Sequence, residues 1–242
     1  MRAIWLTLTM MFACASALAA PDYAREKKWA DEILPAILTG DPVYLEQDAG
    51  HKYLNLFAAG EAGKTAVVLV HGIGVHPDWG LIGALRQRLS DAGHATLSVQ
   101  MPVLAADAKG DAYVPYFDLA AARLGRSVDW LKAKGYDRIA IVSHSLGCRM
   151  SHRYLSGKPS AAVVGWVALS MPGSEDYAGL SPRILDLYGE NDLAHVVKNA
   201  PQRAKGLTQA GSAQDRMAGA DHFFEGKDDA LFRAVAAFVA KP

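Results

Sequence analysis

The segment Ile139-Ala140-Ile141-Val142-Ser143-His144-Ser145-Leu146-Gly147 constrains this chain more than any other. It starts as an unbroken apolar run, as expected of a strand covered on both faces. It then passes, without a polar linker, into a pattern of helical period over Leu146–Leu155. A strand that turns so abruptly into a helix needs small residues where the two approach. Gly147 lies two places after Ser145 and Ser143 two places before it. The turn would lift the Ser145 hydroxyl above the sheet edge and aim the Leu146 N–H at any negative charge developing there. Ser145 is therefore the candidate nucleophile. Its simpler role would be a helix cap. Ser143 lies inside the turn, and Cys148 reads as a small buried residue of the helix.

The same alternation runs through the rest of the chain. Strands are predicted at Ala66–Val70, Ala95–Val99, Arg138–Val142, Ala162–Leu169 and Arg183–Tyr188, with a weak last strand containing Met217. Helices are predicted at Leu81–Ala92, 116–134, Leu146–Leu155 and Lys227–Ala240. Residues 21–42 read as a leader helix kinked at Pro35. Val43–Leu45 and Lys52–Phe57 read as an antiparallel pair around Asp48-Ala49-Gly50. Buried strands alternating with helices mean an α/β fold: a mainly parallel central sheet with helices on both faces. The longest irregular stretch is 102–115.

A second glycine-containing turn, His71-Gly72-Ile73-Gly74, follows the strand Ala66–Val70. It can bring the Ile73 N–H beside the same developing charge, making Ile73 and Leu146 the candidate oxyanion donors. It can equally be a plain strand–helix turn. His71 and His76 are close in sequence, but five residues apart on a loop and without further ligands they do not make a metal site.

A hydroxyl nucleophile needs a base, and the base needs a carboxylate to orient it. Asp192 follows Arg183–Tyr188 through Gly189-Glu190-Asn191, and His222 stands just before the last helix. Both fit the order Ser, Asp, His. Asp192 could also cap the helix that follows it, and Glu190 is the rival acid. His152 and His195 are the rival bases, each placed inside a predicted helix.

These residues, His71–Gly74, Ser143–Gly147, Asp192 and His222, make the chain resemble the α/β-hydrolase superfamily over nearly its whole length. The runs His71–Trp79 and Leu97–Pro102 further resemble an uncharacterised group of exported bacterial α/β hydrolases. The elbow departs from the family pattern at Ser143, where glycine is usual. The resemblance implies a Ser-His-Asp, two-step acyl-enzyme mechanism without a cofactor or metal. The expected activity is a serine hydrolase, carboxylesterase-like, acting on a small-molecule acyl substrate. Thioesterase, amidase or acyltransferase chemistry on envelope material is the alternative, as is a non-catalytic envelope protein that keeps the fold.

In that superfamily a cap usually inserts after the strand that here is Ala162–Leu169. Only twelve residues, Ser170–Ser181, separate it from the next strand, so a minimal cap or none is expected. Cover for the site would then come from His76 and Trp79 and from the 102–115 stretch with Tyr113 and Tyr116. These four are the candidate substrate-binding residues. A shallow groove would favour short to medium acyl groups, because each buried methylene adds only about 0.8 kcal/mol.

The first nineteen residues read as an address. Met1 and Arg2 precede the apolar run Ala3–Ala13, and Ala17-Leu18-Ala19 offers small residues where a signal peptidase reads. The run is too short to span a bilayer. Residues 1–19 are thus expected to be a signal peptide, leaving 20–242 as one domain in the periplasm or beyond. Without Cys14 a single thiol, Cys148, would remain. Lys and Arg total 25 against 25 Asp and Glu, so no basic excess recommends nucleic acid as a partner.

Overall fold

A computed structural model describes residues 20–47 and 50–241. The expected signal peptide and most of the turn at 48–50 lie outside these residues.

The chain opens with α1 (Tyr23–Ile33), whose first turn is capped by the Asp22 carboxylate accepting the Arg25 N–H at 2.9 Å. Pro35 ends this helix rather than kinking it. Residues Leu34–Ala36 tighten into a 3₁₀ turn, and by Asp41 the chain is a strand. Strands β1 (Asp41–Glu46) and β2 (Lys52–Ala58) pair antiparallel. Then come β3 (Ala66–Val70), α2 (Gly80–Asp91), β4 (Thr96–Val99), α3 (Phe117–Ala133), β5 (Ile139–His144) and α4 (Leu146–Leu155). The chain finishes with β6 (Val163–Leu169), β7 (Arg183–Gly189), α5 (Ala194–Ala204), β8 (Ala213–Met217) and α6 (Asp228–Val239).

The eight strands form one sheet in the order β1-β2-β4-β3-β5-β6-β7-β8, parallel from β4 through β8. The unbroken apolar runs are explained by the period of two. In β3, Ala66, Val68 and Val70 join the core under α3 and α4, while Val67 and Leu69 join the core under α2 and α6. In β5, Ile139 and Ile141 face the first core, Ala140 and Val142 the second. Both faces are covered, so in these runs the positions on both faces are apolar.

All the parallel strands end at the same edge, and the connections that leave them there carry every candidate site residue. The β6–β7 connection contains no helix, so among the described residues no cap domain is inserted there. Asp186 of β7 and Arg203 of α5, both fully buried, pair at 2.9 Å, and Gln214 of β8 adds a hydrogen bond to the same carboxylate. This knot fixes the β7–α5 loop in which Asp192 sits.

The stretch 102–115 is not an open cover. Met101, Val103 and Leu104 are buried, and residues Gly110–Tyr116 coil into a 3₁₀ turn. Among the described residues, no helix is long and apolar enough to cross a membrane.

Candidate active site

Ser145 sits at φ 52°, ψ −125°, a conformation that a residue with a side chain rarely adopts. The turn is held from both sides. The Ser145 N–H donates to Leu169 of β6 at 2.9 Å, and its carbonyl accepts from the Cys148 N–H at 2.8 Å. Gly147 explains why the helix can start here. A Cβ at that position would lie 2.4 Å from the His71 carbonyl oxygen, so any side chain would push α4 off β3. Ser143 answers the other small position differently. Its hydroxyl accepts the indole N–H of the fully buried Trp166 at 2.7 Å. A hydroxymethyl group there is a binding partner for β6, which a glycine could not supply.

Ser145, His222 and Asp192 form one hydrogen-bonded chain. His222 Nε2 stands 3.0 Å from Ser145 Oγ, and His222 Nδ1 stands 2.6 Å from Asp192 Oδ1. The Asp192 carboxylate also accepts the Ser170 hydroxyl at 2.5 Å and the Leu193 and Gly189 N–H groups at 2.7 and 3.3 Å. Burial works to raise its pKa. The hydrogen bonds from His222, Ser170 and Leu193 outweigh that and hold the carboxyl below the usual carboxylate value. Asp192 is not a helix cap: Leu193 occupies that position, and α5 begins at Ala194. Gly189 permits the approach of the His222 loop, since a Cβ on it would lie 2.5 Å from the Ala220 carbonyl oxygen.

The rivals Glu190, His152 and Cys148 are engaged elsewhere. Glu190 pairs with Arg216 and accepts the Gly219 N–H. His152 bonds to the Asp176 carbonyl. Cys148 is buried with its Sγ toward the carbonyls of Ser143 and Leu169, and burial pushes its thiol pKa far up. His71 accepts the Met101 N–H at Nε2, which leaves Nδ1 to donate to the Gly72 carbonyl. Burial drives its pKa down to about 3. With both nitrogens spent, His71 is a structural pin between the loops after β3 and β4.

Ser145 lies where two clefts meet, and Ile73 borders both with it. The larger, about 470 Å³, is walled by Trp79, Leu81, Ile82, Ala84 and Phe223, and His222 borders it. The smaller, about 290 Å³, is bordered by Leu146 and ends at Asp111, Arg149 and His195. Leu146 is the first residue of α4, so its N–H has no partner within the helix.

Of the four candidate substrate-binding residues, only Trp79 reaches a cleft. His76 stands behind it, its ring edge-on to both Trp79 and Trp29. Tyr113 is 1% exposed, with its hydroxyl accepting the Leu104 N–H at 3.1 Å. Tyr116 packs half-buried against the α3 core. The reason is the 3₁₀ turn, which directs these rings inward and leaves Gly110 and Asp111 at the cleft.

Three supports have no signature in the sequence. His144 Nε2 donates to the His222 carbonyl at 2.9 Å, and burial lowers its pKa to about 4. Ser170, at φ 54°, holds Asp192. Arg25 of α1 stacks on Trp29 and donates to the carbonyls of Gly74 and Leu104, tying the leader helix to two site loops. Each depends on which strands become neighbours, which no local pattern encodes.

A family model described as "Protein of unknown function (DUF3530)" matches residues 5–116. No match is found among the curated proteins. Solved structures do resemble the chain. Dienelactone hydrolase from Anabaena variabilis aligns at 17% identity with a TM-score of 0.66, over 81% of this chain and 96% of that one. Est1E from Butyrivibrio proteoclasticus aligns at 14% and 0.64, over 83% and 99%. An α/β serine hydrolase without a lid from Xanthomonas campestris aligns at 17% and 0.61, over 85% and 98%. Sheet order, the turn at Ser145 and these alignments agree: the chain has the α/β-hydrolase fold.

Proposed function

We propose that this protein is an exported serine hydrolase that cleaves carboxylic esters of short to medium acyl groups. The observation that carries the reading is the Ser145–His222–Asp192 hydrogen-bonded chain, with its hydroxyl on a strained turn beside an open cleft. Similarity to solved hydrolases lends the fold as background and leaves the substrate open.

Ser145 Oγ attacks the acyl carbonyl while His222 Nε2 takes its proton. Asp192 keeps the Nδ1–H tautomer in place and stabilises the imidazolium. The N–H groups of Leu146 and Ile73 receive the oxyanion, each worth about 3 kcal/mol at the transition state. The tetrahedral intermediate collapses as His222 returns the proton to the leaving oxygen, and an alcohol departs. Water, deprotonated by His222, then releases the acid and restores Ser145. The order of events asks nothing of a metal or cofactor.

Export is part of the proposal. Its support is the basic start, apolar run and small-residue site of residues 1–19. Protein recovered from the periplasm or medium should begin at Ala20 or within a residue or two of it. A retained Met1 on exported protein would contradict this. For the chemistry, a fluorophosphonate probe should label the wild type and not Ser145→Ala. That variant should lose on the order of 10⁴-fold or more in ester turnover. Full turnover by Ser145→Ala would end the assignment.

A further inference from the structure

The two clefts differ in which catalytic partner borders them. Ser145 and Ile73 belong to both, whereas His222 borders only the larger one and Leu146 only the smaller. An ester has two arms that leave its carbonyl carbon in different directions, so a nucleophile at a junction of clefts can seat one arm in each. Proton transfer decides which arm goes where. For the C–O bond to break, His222 Nε2–H must reach the leaving oxygen within hydrogen-bond distance. That oxygen must therefore depart on the side where His222 stands. From this we infer that the alcohol arm occupies the larger cleft and the acyl arm the smaller one. The substrates are then short-chain acyl esters of bulky apolar alcohols. This inference rests on the serine-hydrolase reading above and specifies its substrate class.

The dimensions and chemistry of the clefts agree with the assignment. About 470 Å³ lies within the range of pockets that hold a sizeable organic group, while 290 Å³ falls at its lower edge. Trp79, Leu81, Ile82 and Phe223 offer an alkyl or aryl alcohol apolar surface, with the Glu225 and Asp228 carboxylates on the border of the same cleft. An acyl chain growing in the smaller cleft would instead meet Asp111 and the Arg149–Glu175 ion pair. Lengthening it takes water from charged groups without replacing their hydrogen bonds, which penalises binding.

Two ester series read the two arms separately. In one, acetate is held constant and the alcohol grows from methyl to octyl and to 1-naphthyl. In the other, methanol is held constant and the acid grows from acetate to octanoate. kcat/KM reports acylation in both. With acetate fixed, it should climb with alcohol size, by up to about fourfold per buried methylene, until the cleft is filled. With methanol fixed, it should fall at least tenfold between butanoate and octanoate. Ala84→Trp, which fills the larger cleft, should cut the octyl-to-methyl acetate ratio at least tenfold.

Rates that climb with acyl length and stay flat with alcohol size would seat the arms the other way and overturn the inference. Rates flat in both series would overturn it too. The wild-type series decide the matter even if Ala84→Trp does not fold. If Ser145 takes the fluorophosphonate label and esters turn over, a failure belongs to the arm assignment alone. If neither occurs, the serine-hydrolase reading fails and takes this inference with it.

Discussion

His144 and His222 are joined through the main chain: the Nε2–H of His144 donates to the His222 carbonyl at 2.9 Å. Among the described residues this is the one hydrogen bond made to the peptide of His222. The residue next to the proposed nucleophile thus holds the residue that would act as its base. Losing the donor should let the imidazole swing, while a ring kept at this position preserves the wall that residue 144 gives the larger cleft. His144→Phe, which keeps a ring and lacks the N–H, should lower kcat by 10- to 100-fold with KM within about twofold. His144→Gln, which restores an N–H at a similar reach, should recover most of the loss. Equal losses in the two variants would reduce His144 to a space-filling role.

Asp192 and Glu190 are two residues apart and should behave oppositely. Asp192→Asn offers His222 an amide in place of a carboxylate and should cost on the order of 10³- to 10⁴-fold in kcat. Glu190→Gln should leave kcat within about threefold, since that carboxylate serves Arg216 and Gly219. Ser170→Ala removes one of the hydrogen bonds that favour the Asp192 carboxylate, so it should raise that carboxyl's pKa. Titration of the Asp192 carboxyl followed by NMR, in wild type and Ser170→Ala, is the measurement, and the variant's value should lie higher. A worse loss in Glu190→Gln than in Asp192→Asn would move the acid to Glu190.

Stability should fall on the acid side, in a window set by two histidines. Burial lowers His71 to about 3 and His144 to about 4, whereas an unfolded histidine titrates near 6.5. Between those limits the unfolded chain binds protons that the folded chain refuses, so stability declines as pH falls. The decline starts near pH 6.5, and each histidine accounts for roughly 2 kcal/mol by pH 5. The depressed Asp192 carboxyl adds to this only lower down. Its contribution is complete above the ordinary carboxylate value and is lost as pH drops through its folded value. Urea unfolding of wild type and His144→Gln at pH 7 and pH 5 tests the first window. The variant should lose less on acidification, and parallel losses would refute the account.

What could be read in the sequence follows from how local each signal is. Strands β3 and β5 were legible because burial on both faces leaves an unbroken apolar run. The turn at Ser145 was legible because strand, small residues and helix are contiguous. Strand β8 was faint: Ala213–Met217 is an edge strand of mostly polar residues with no periodic signal to follow. Tyr113 and Tyr116 misled because aromatic rings in an irregular stretch suit a groove and a core equally. Only the 3₁₀ turn, and a hydroxyl satisfied by the Leu104 N–H, send Tyr113 inside. Asp186 and Arg203 were invisible for the same reason as His144: their partners are chosen by the order of strands.

The positions that build the site are spread widely along the chain, from Arg25, which braces the Gly74 loop, through Ser145 to His222. A polypeptide emerging from its N-terminus offers the serine long before the imidazole. Until residue 222 has emerged and its loop has docked on Gly189, the hydroxyl has no base beside it, even if its turn has formed. Catalytic competence on this reading comes only late in the chain, so a fragment that stops short of His222 should be silent however well the rest of its sheet assembles.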